Sequence, residues 1–149
     1  MATRSTIALE YADGTVGQVY CHWDGYLDNN GKLLYTHYQD PFKLRDLIDL
    51  GDLSSLRPEV GTVHDFDDRA AGEEQCTFYG RDRGETGTGS KSYKDFDDYA
   101  ENHQHEEYEY ILRNDGNWYV KVYSAPYVLL ADAIAEEMRE RAEEEALQA

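Results

Sequence analysis

The chain has 149 residues, of which 31 are acidic and 14 are basic, so its formal net charge at pH 7 is −17. A chain of this length fits one domain with one hydrophobic core, and we predict a single domain over residues 1–149. The charge disfavours binding to nucleic acid and to anionic membrane surfaces, because both present phosphate groups that Lys and Arg side chains must neutralise. A basic protein is the kind of partner that this charge favours.

The sequence carries no signal for insertion into a membrane or for secretion. No apolar run approaches the ~20 residues that a membrane-spanning helix needs. The N-terminal stretch lacks the basic and apolar regions of a secretory signal. We therefore expect a cytoplasmic protein in which Cys21 and Cys76 are reduced thiols.

Two β-hairpins are predicted, one near each end of the chain. The first turns at an Asp-Gly pair at positions 13–14, which is a strong hairpin signal. Its second strand places Cys21 and Trp23 on the core side and His22 on the opposite side. The second hairpin turns at an Asp-Gly pair at 115–116, and its core face is predicted to hold Tyr108, Tyr110 and Leu112 opposite Trp118, Val120 and Val122.

Helices are predicted between the hairpins. Residues 31–39 form a short helix, and a second helix begins at Asp40, which caps Pro41 at the first helical position. The apolar stripe of this second helix consists of Phe42, Leu44, Leu47 and Ile48. Two similar segments, DFDDRA at 65–70 and DFDDYA at 95–100, are predicted to begin helices at Asp65 and Asp95, because acidic residues are favourable in a first turn.

The last predicted helix is acidic and contains a core stripe of Leu130, Ile134 and Met138. Its tip near residues 143–149 is expected to fray, because three consecutive glutamates lie near the negative end of the helix dipole. Residues 84–92 have the composition of a mobile loop. Together the elements predict an α+β fold, with helices packed on an antiparallel sheet built from the two hairpins.

Motifs for catalysis and metal binding are weak. In the segment YCHW, Cys21 and His22 point to opposite faces of a strand, so they cannot form a nucleophile pair. The side chains that could bind zinc are those of Cys21, His22, Cys76, His103 and His105. They lack the paired spacing of structural zinc sites. Both DFDD segments fail the calcium-loop pattern at its fifth and sixth positions. We predict no catalytic residues, no metal, no cofactor and no enzymatic activity.

Several stretches of the chain resemble one family of proteins. The stretches MATRSTIALEYADGTVGQVYCHWDGYLDNNGKLL, GDLSSL, YGRDRGE and NWYVKVY resemble a widespread family of small acidic proteins from tailed bacteriophages and prophages. The resemblance covers most of the chain and is weakest in the C-terminal helix. It implies a virus-encoded protein in a host bacterial cytoplasm, and it supplies no activity and no catalytic residues.

The charge and the resemblance together predict an inhibitor of a host defence system, of the anti-CRISPR or anti-restriction kind. Its carboxylates would lie where DNA phosphates lie on a basic host protein such as a CRISPR effector, a restriction enzyme or another nuclease. Two tyrosines are predicted as stiff anchors within the contact set. The predicted contact residues are Asp65, Asp67, Asp68, Asp95, Asp97, Asp98, Tyr99, Glu101, Tyr108, Glu136, Glu140 and Glu144.

Two alternatives stay open. The first is a phage accessory protein that binds a host transcription or metabolic protein through its aromatic surface, with the charge incidental. The second is a metal-dependent enzyme that uses the histidines and the Asp-rich segments. The charge and the aromatic residues are each compatible with more than one of these functions.

Overall fold

The computed structural model describes residues 2–148, and it confirms a mixed α and β architecture. Within these residues, eight strands form one sheet. In chain order they are β1 Ser5–Glu10, β2 Val16–Cys21, β3 Leu53–Ser55, β4 Thr77–Phe78, β5 Lys91–Tyr93, β6 Tyr108–Leu112, β7 Trp118–Val122 and β8 Val128–Leu129.

Between residues 2 and 148, five α-helices and one π-helical turn accompany the sheet. The π-helical turn spans Leu27–Gly31 and leads directly into the first α-helix. The α-helices are α1 Lys32–His37, α2 Pro41–Asp49, α3 Tyr79–Arg83, α4 Phe96–Asn102 and α5 Leu130–Gln148.

The sheet is mixed, which corrects the predicted antiparallel sheet. Its main order is β4-β3-β2-β1-β6-β7-β8, and β5 pairs with β2 beside this path. The pairs β1–β2 and β6–β7 are antiparallel, whereas β1 pairs with β6 in parallel and β2 pairs with β3 in parallel. Tight turns dictate antiparallel pairing only between strands adjacent in the chain. The direction of the central β1–β6 pairing depends on the long connection between the hairpins.

Side chains alternate across the two faces of the sheet, and each face packs a different set of helices. The face that carries Ile7 and Leu9 packs against α1, α2 and α5 in the larger core cluster. We call it the α5 face. The opposite face carries Ala8 and Ile111 and packs against Tyr99 of α4 in a smaller cluster. We call it the α4 face. Strand β1 is buried along its whole length because both faces are covered.

Helix α2 begins as the sequence predicts. The Asp40 side chain accepts a hydrogen bond of 2.9 Å from the Phe42 backbone N–H, and Pro41 occupies the first helical position. Leu44, Leu47 and Ile48 are buried against the α5 face. Phe42 is 66% exposed, so its predicted place in the core stripe is wrong. It lies in the first turn, on the solvent side of the buried residues.

Three other local predictions are corrected by tertiary packing. Trp23 is 43% exposed because it follows the end of β2 and does not enter the core. Met138 is 55% exposed because α5 contacts the sheet only near its start. Asp65 begins a turn instead of a helix, with the Asp68 N–H donating to the Asp65 carbonyl oxygen. Within residues 2–148, no helix has both the length and the apolar character needed to cross a membrane.

Candidate functional site

The predicted acidic contact set does not form one surface. Asp97 and Glu101 are exposed on α4, whereas Glu140 and Glu144 are exposed on α5. These two helices pack on opposite faces of the sheet. A flat or grooved partner therefore meets only one of the two acidic helices at a time.

Helix α5 is the more open of the two acidic helices. Every residue from Met138 to Gln148 is exposed. Arg139 bonds to Glu136 and Glu143, and Arg141 lies 3.0 Å from an Asp28 carboxylate oxygen on the π-helical turn. The carboxylates of α5 that form no ion pair within residues 2–148 are those of Asp132, Glu140, Glu144 and Glu145.

On α4, two of the predicted contact residues are engaged locally. Asp95 caps the helix by accepting a hydrogen bond of 2.8 Å from the Asp98 N–H. Asp98 accepts from the Lys94 N–H and from the Asn102 side chain, and these bonds lower the pKa of its carboxyl group. Asp97 and Glu101 have no such bond among the described residues, so they are the carboxylates that α4 presents to solvent.

The remaining predicted contacts divide between solvent and core. Asp65, Asp67 and Asp68 are exposed in a loop of turns, and two of them accept hydrogen bonds from backbone N–H groups of the same loop. Tyr99 is fully buried, so its predicted role as a contact anchor is wrong. Tyr108 is half-buried, with its ring 6.4 Å from that of Tyr110.

A cleft of about 430 Å³ lies between the turn after β2, strand β3 and the loop of turns at residues 66–73. Trp23 and Asp24 of YCHWDGY, Ser54 of GDLSSL and Thr77 at the start of β4 line this cleft. The Trp23 ring makes an edge contact with His22, at 4.7 Å between ring centroids. The volume is that of a small ligand site, and the exposed indole beside polar groups is also typical of a protein contact.

The carboxylate of Asp82 joins β4 and α3 to the loop that contains His64. It accepts hydrogen bonds from the backbone N–H groups of Phe78, at 2.8 Å, and His64, at 3.0 Å, and from the Arg81 side chain at 3.0 Å. Its side chain is completely buried. Burial alone would raise the pKa of Asp82, but the Arg81 charge and the two N–H donors outweigh it, so the pKa is lowered.

A second polar cluster lies on the α4 face, after the end of α4. His103 and Glu109 are both buried, and the His103 Nε2 atom contacts a Glu109 carboxylate oxygen. The other ring nitrogen, Nδ1, lies 2.5 Å from the Tyr99 carbonyl oxygen. The imidazole also stacks on the Tyr99 ring, at 4.1 Å between centroids. Because a carbonyl oxygen only accepts, Nδ1 donates the hydrogen bond to Tyr99, and Nε2 is directed at the carboxylate.

His105 and Lys121 complete this cluster. His105 Nδ1 lies 3.3 Å from the second carboxylate oxygen of Glu109, and its side chain is 60% exposed. Lys121 Nζ lies 3.6 Å from the same oxygen. Burial favours a raised pKa for Glu109, but His103, His105 and Lys121 outweigh this effect, so its pKa is lowered. The carboxylate is therefore ionised at neutral pH.

Sequence reasoning listed His103 and His105 as weak zinc candidates but did not include Glu109 with them. A glutamate in a strand is typical of a solvent-facing position, whereas Glu109 is fully buried. The chain signal that relates them is the spacing H-x-H-x-x-x-E, in which the last residue belongs to β6. The turn after α4 brings the histidines back over that strand.

No protein-family model, no curated protein and no solved structure matches this chain. The function therefore has to be argued from the charge, the exposed helices and the clusters described above.

Proposed function

We propose that this protein is a phage-encoded inhibitor of a host defence system. It binds the nucleic-acid-binding surface of a basic host protein, such as a CRISPR effector or a restriction enzyme, as an acidic mimic of DNA. The net charge of −17 and the resemblance to phage proteins support the class of function. The exposure of α5 supports the choice of contact surface.

The observation that carries the proposal is the density of carboxylates on α5. The helix has 19 residues with seven carboxylates, and a helix of this length is about 28 Å long. One carboxylate therefore occurs about every 4 Å of axis, against one phosphate about every 3.4 Å along a DNA strand. Two arginines reduce the net charge of the helix to −5.

The split of acidic residues between two faces narrows the predicted contact set. We assign the contact to α5, where Glu140 and Glu144 have no ion pair within residues 2–148. Helix α4 is the weaker choice, because Asp95 and Asp98 are used in capping and in local hydrogen bonds. Exposed Glu140 and Glu144 remain free to pair with Arg and Lys of a partner.

The test is capture of partners from a bacterial lysate that contains a CRISPR effector and a restriction enzyme. The captured protein is washed at about 0.1 M and about 1 M salt, between which the Debye length falls from about 10 Å to about 3 Å. It is then challenged with duplex DNA. We expect both high salt and DNA to release the partner, because the carboxylates and the DNA phosphates compete for one surface.

Two pairs of substitutions remove equal charge from opposite faces. The α5 pair is Glu140→Gln with Glu144→Gln, and the matched α4 pair is Asp97→Asn with Glu101→Gln. We expect the α5 pair to weaken capture and defence inhibition strongly and the α4 pair to weaken them little. Equal losses from both pairs would contradict the assignment to α5. If the partner stayed bound at high salt and was lost on the substitution Trp23→Ala, the result would instead favour docking through the cleft that contains Trp23.

A further inference from the structure

We propose that His103, His105 and Glu109 form a binding site for a divalent transition-metal ion such as Zn²⁺. One donor atom from each of these residues lies within 4.8 Å of the donor atoms of the other two. The site is separate from α5 and lies on the opposite face of the sheet, so it does not depend on the proposed inhibitor function.

The donor atoms of the cluster are directed at one another. The Tyr99 carbonyl oxygen accepts a hydrogen bond from Nδ1 of His103, which directs the Nε2 atom of the same ring at a Glu109 oxygen. The second Glu109 oxygen lies 3.3 Å from Nδ1 of His105. A metal ion bound between these atoms would use all three side chains, whereas a hydrogen bond between His103 and Glu109 leaves His105 outside.

The donor set matches known preferences of metal ions. Two imidazoles and one carboxylate form the three-ligand set of many catalytic zinc sites, in which water occupies the fourth position. A metal-bound histidine typically donates its other N–H to a carbonyl or carboxylate group, as His103 does to Tyr99. Donors that share a zinc ion at about 2.1 Å lie about 3.4 Å from one another. The exposed His105 side chain can rotate to reach this spacing.

The open side of the cluster faces a shallow depression. Arg4, Glu106, Lys121 and Tyr123 are among the residues that line it, together with His105 itself. A fourth metal position there is accessible to water or to a small anion. Lys121 is the group that opposes metal binding, because its ammonium lies 3.6 Å from a Glu109 oxygen and repels a cation at that oxygen.

The experiment measures Zn²⁺ and Co²⁺ binding to the full chain after treatment with a chelator. Calorimetry gives the stoichiometry and the affinity, and the visible spectrum of Co²⁺ reports nitrogen ligands. We expect one equivalent of Zn²⁺. His105→Ala removes an exposed ligand and is expected to weaken the affinity by more than about tenfold, the least that a change next to a zinc ligand typically causes. The matched control is His37→Ala, an exposed histidine on α1 that leaves binding unchanged.

A third variant is expected to bind Zn²⁺ more tightly, a result that misfolding cannot produce. Lys121→Met removes the opposing charge, so it is expected to raise the Zn²⁺ affinity by about tenfold. The proposal is overturned if the unmodified chain binds Zn²⁺ no more tightly than His105→Ala, or if Lys121→Met fails to raise the affinity. Either result would show that Glu109 serves only as the polar partner of His103 and Lys121 and that the cluster does not bind a metal ion. Because only the purified chain and metal are used, the outcome is independent of any host partner.

Discussion

The hydroxyl group of Tyr110 donates a hydrogen bond of 2.6 Å to the backbone carbonyl of Gly25. Tyr110 lies in the central strand β6, and Gly25 lies in the turn that follows β2, so the bond joins positions 85 residues apart. Tyr110 is fully buried. The turn of YCHWDGY is therefore held by the core of the sheet and positions Trp23 and Asp24 at the cleft.

Removal of this hydroxyl group should destabilise the protein. Tyr110→Phe leaves the Gly25 carbonyl without its side-chain donor, and we expect the free energy of unfolding to fall by about 1 to 2 kcal/mol. Urea denaturation followed by fluorescence measures the change. The matched control is Tyr123→Phe, since Tyr123 is 59% exposed and the substitution should have almost no effect. Equal stability of the two variants would contradict the role of the bond.

Gly25 cannot accept a side chain without movement of the backbone. A Cβ atom at this position would lie 2.7 Å from the Ser5 Cβ atom and 3.0 Å from the Arg4 carbonyl carbon. Gly25→Ala should therefore lower the free energy of unfolding by about 1 to 3 kcal/mol, the usual range for overpacking. Gly89→Ala is the control, because no atom lies within 4 Å of a Cβ built there. A thermal-denaturation midpoint for Gly25→Ala equal to that of the control would refute the crowding.

The buried carboxylate of Asp82 makes stability depend on acid. Its pKa is lowered in the folded chain, because Arg81 and two N–H donors outweigh the effect of burial. Its contribution is thus fully present above the pKa of about 3.9 that an unfolded Asp has, and it is lost as the pH falls through the lower folded value. Asp82→Asn should lower stability at pH 7 and flatten the loss of stability on acidification below about pH 4.

The comparison for this prediction is Asp46→Asn, which changes an exposed residue of α2. Denaturant unfolding of both variants is measured at a series of pH values from neutral down to about pH 2, a range that extends below the pKa of about 3.9 of an unfolded Asp. Asp46→Asn should follow the unmodified protein throughout. An Asp82→Asn profile with the same acid-induced loss as the unmodified protein would show that Asp82 does not supply it.

Both thiols should be unreactive in the folded protein. Cys21 and Cys76 are free and buried. Burial raises the pKa of Cys21 to about 12 and also raises the pKa of Cys76. The thiolate is the reactive species, so we expect no alkylation by iodoacetamide at about pH 8, where an unperturbed cysteine with a pKa near 8.5 reacts. Mass spectrometry should show two labelled thiols only after denaturation, and rapid labelling of the folded chain would contradict their burial.

Local chemistry accounts for the elements that sequence reasoning placed correctly. Asp40 and Pro41 specify the start of α2 through side-chain capping and a preset backbone angle, which need no distant partner. The alternating residues of β6 and β7 pair as the pattern indicates, with Tyr110 opposite Val120. The tight Asp-Gly turn determines that register, because it leaves one pairing that keeps the apolar residues on one face.

Burial of the remaining residues depended on which surfaces meet in three dimensions. Trp23 fits the apolar pattern of its strand, but β2 ends at Cys21, and Trp23 is exposed. Met138 fits the apolar pattern of α5, but the helix packs on the sheet only near Leu130, and Met138 is exposed. Glu109 reads as a surface acid, yet α4 and the turn after it cover its face of β6. The pattern within the strand does not indicate this cover, because the cover comes from the preceding helix, which folds back over the strand.

The sequence by itself determined the charge, the starts of α2 and α4 and the two Asp-Gly turns, because these depend on composition and on contacts within a few residues. The tertiary structure decided where that charge lies. The parallel pairing of β1 with β6 sets two hairpins side by side, and helices then cover both faces of the sheet. This arrangement separates the acids of α4 from those of α5 and buries Glu109 beside His103. Strand direction and layer order arise from long-range packing, which a linear pattern does not encode.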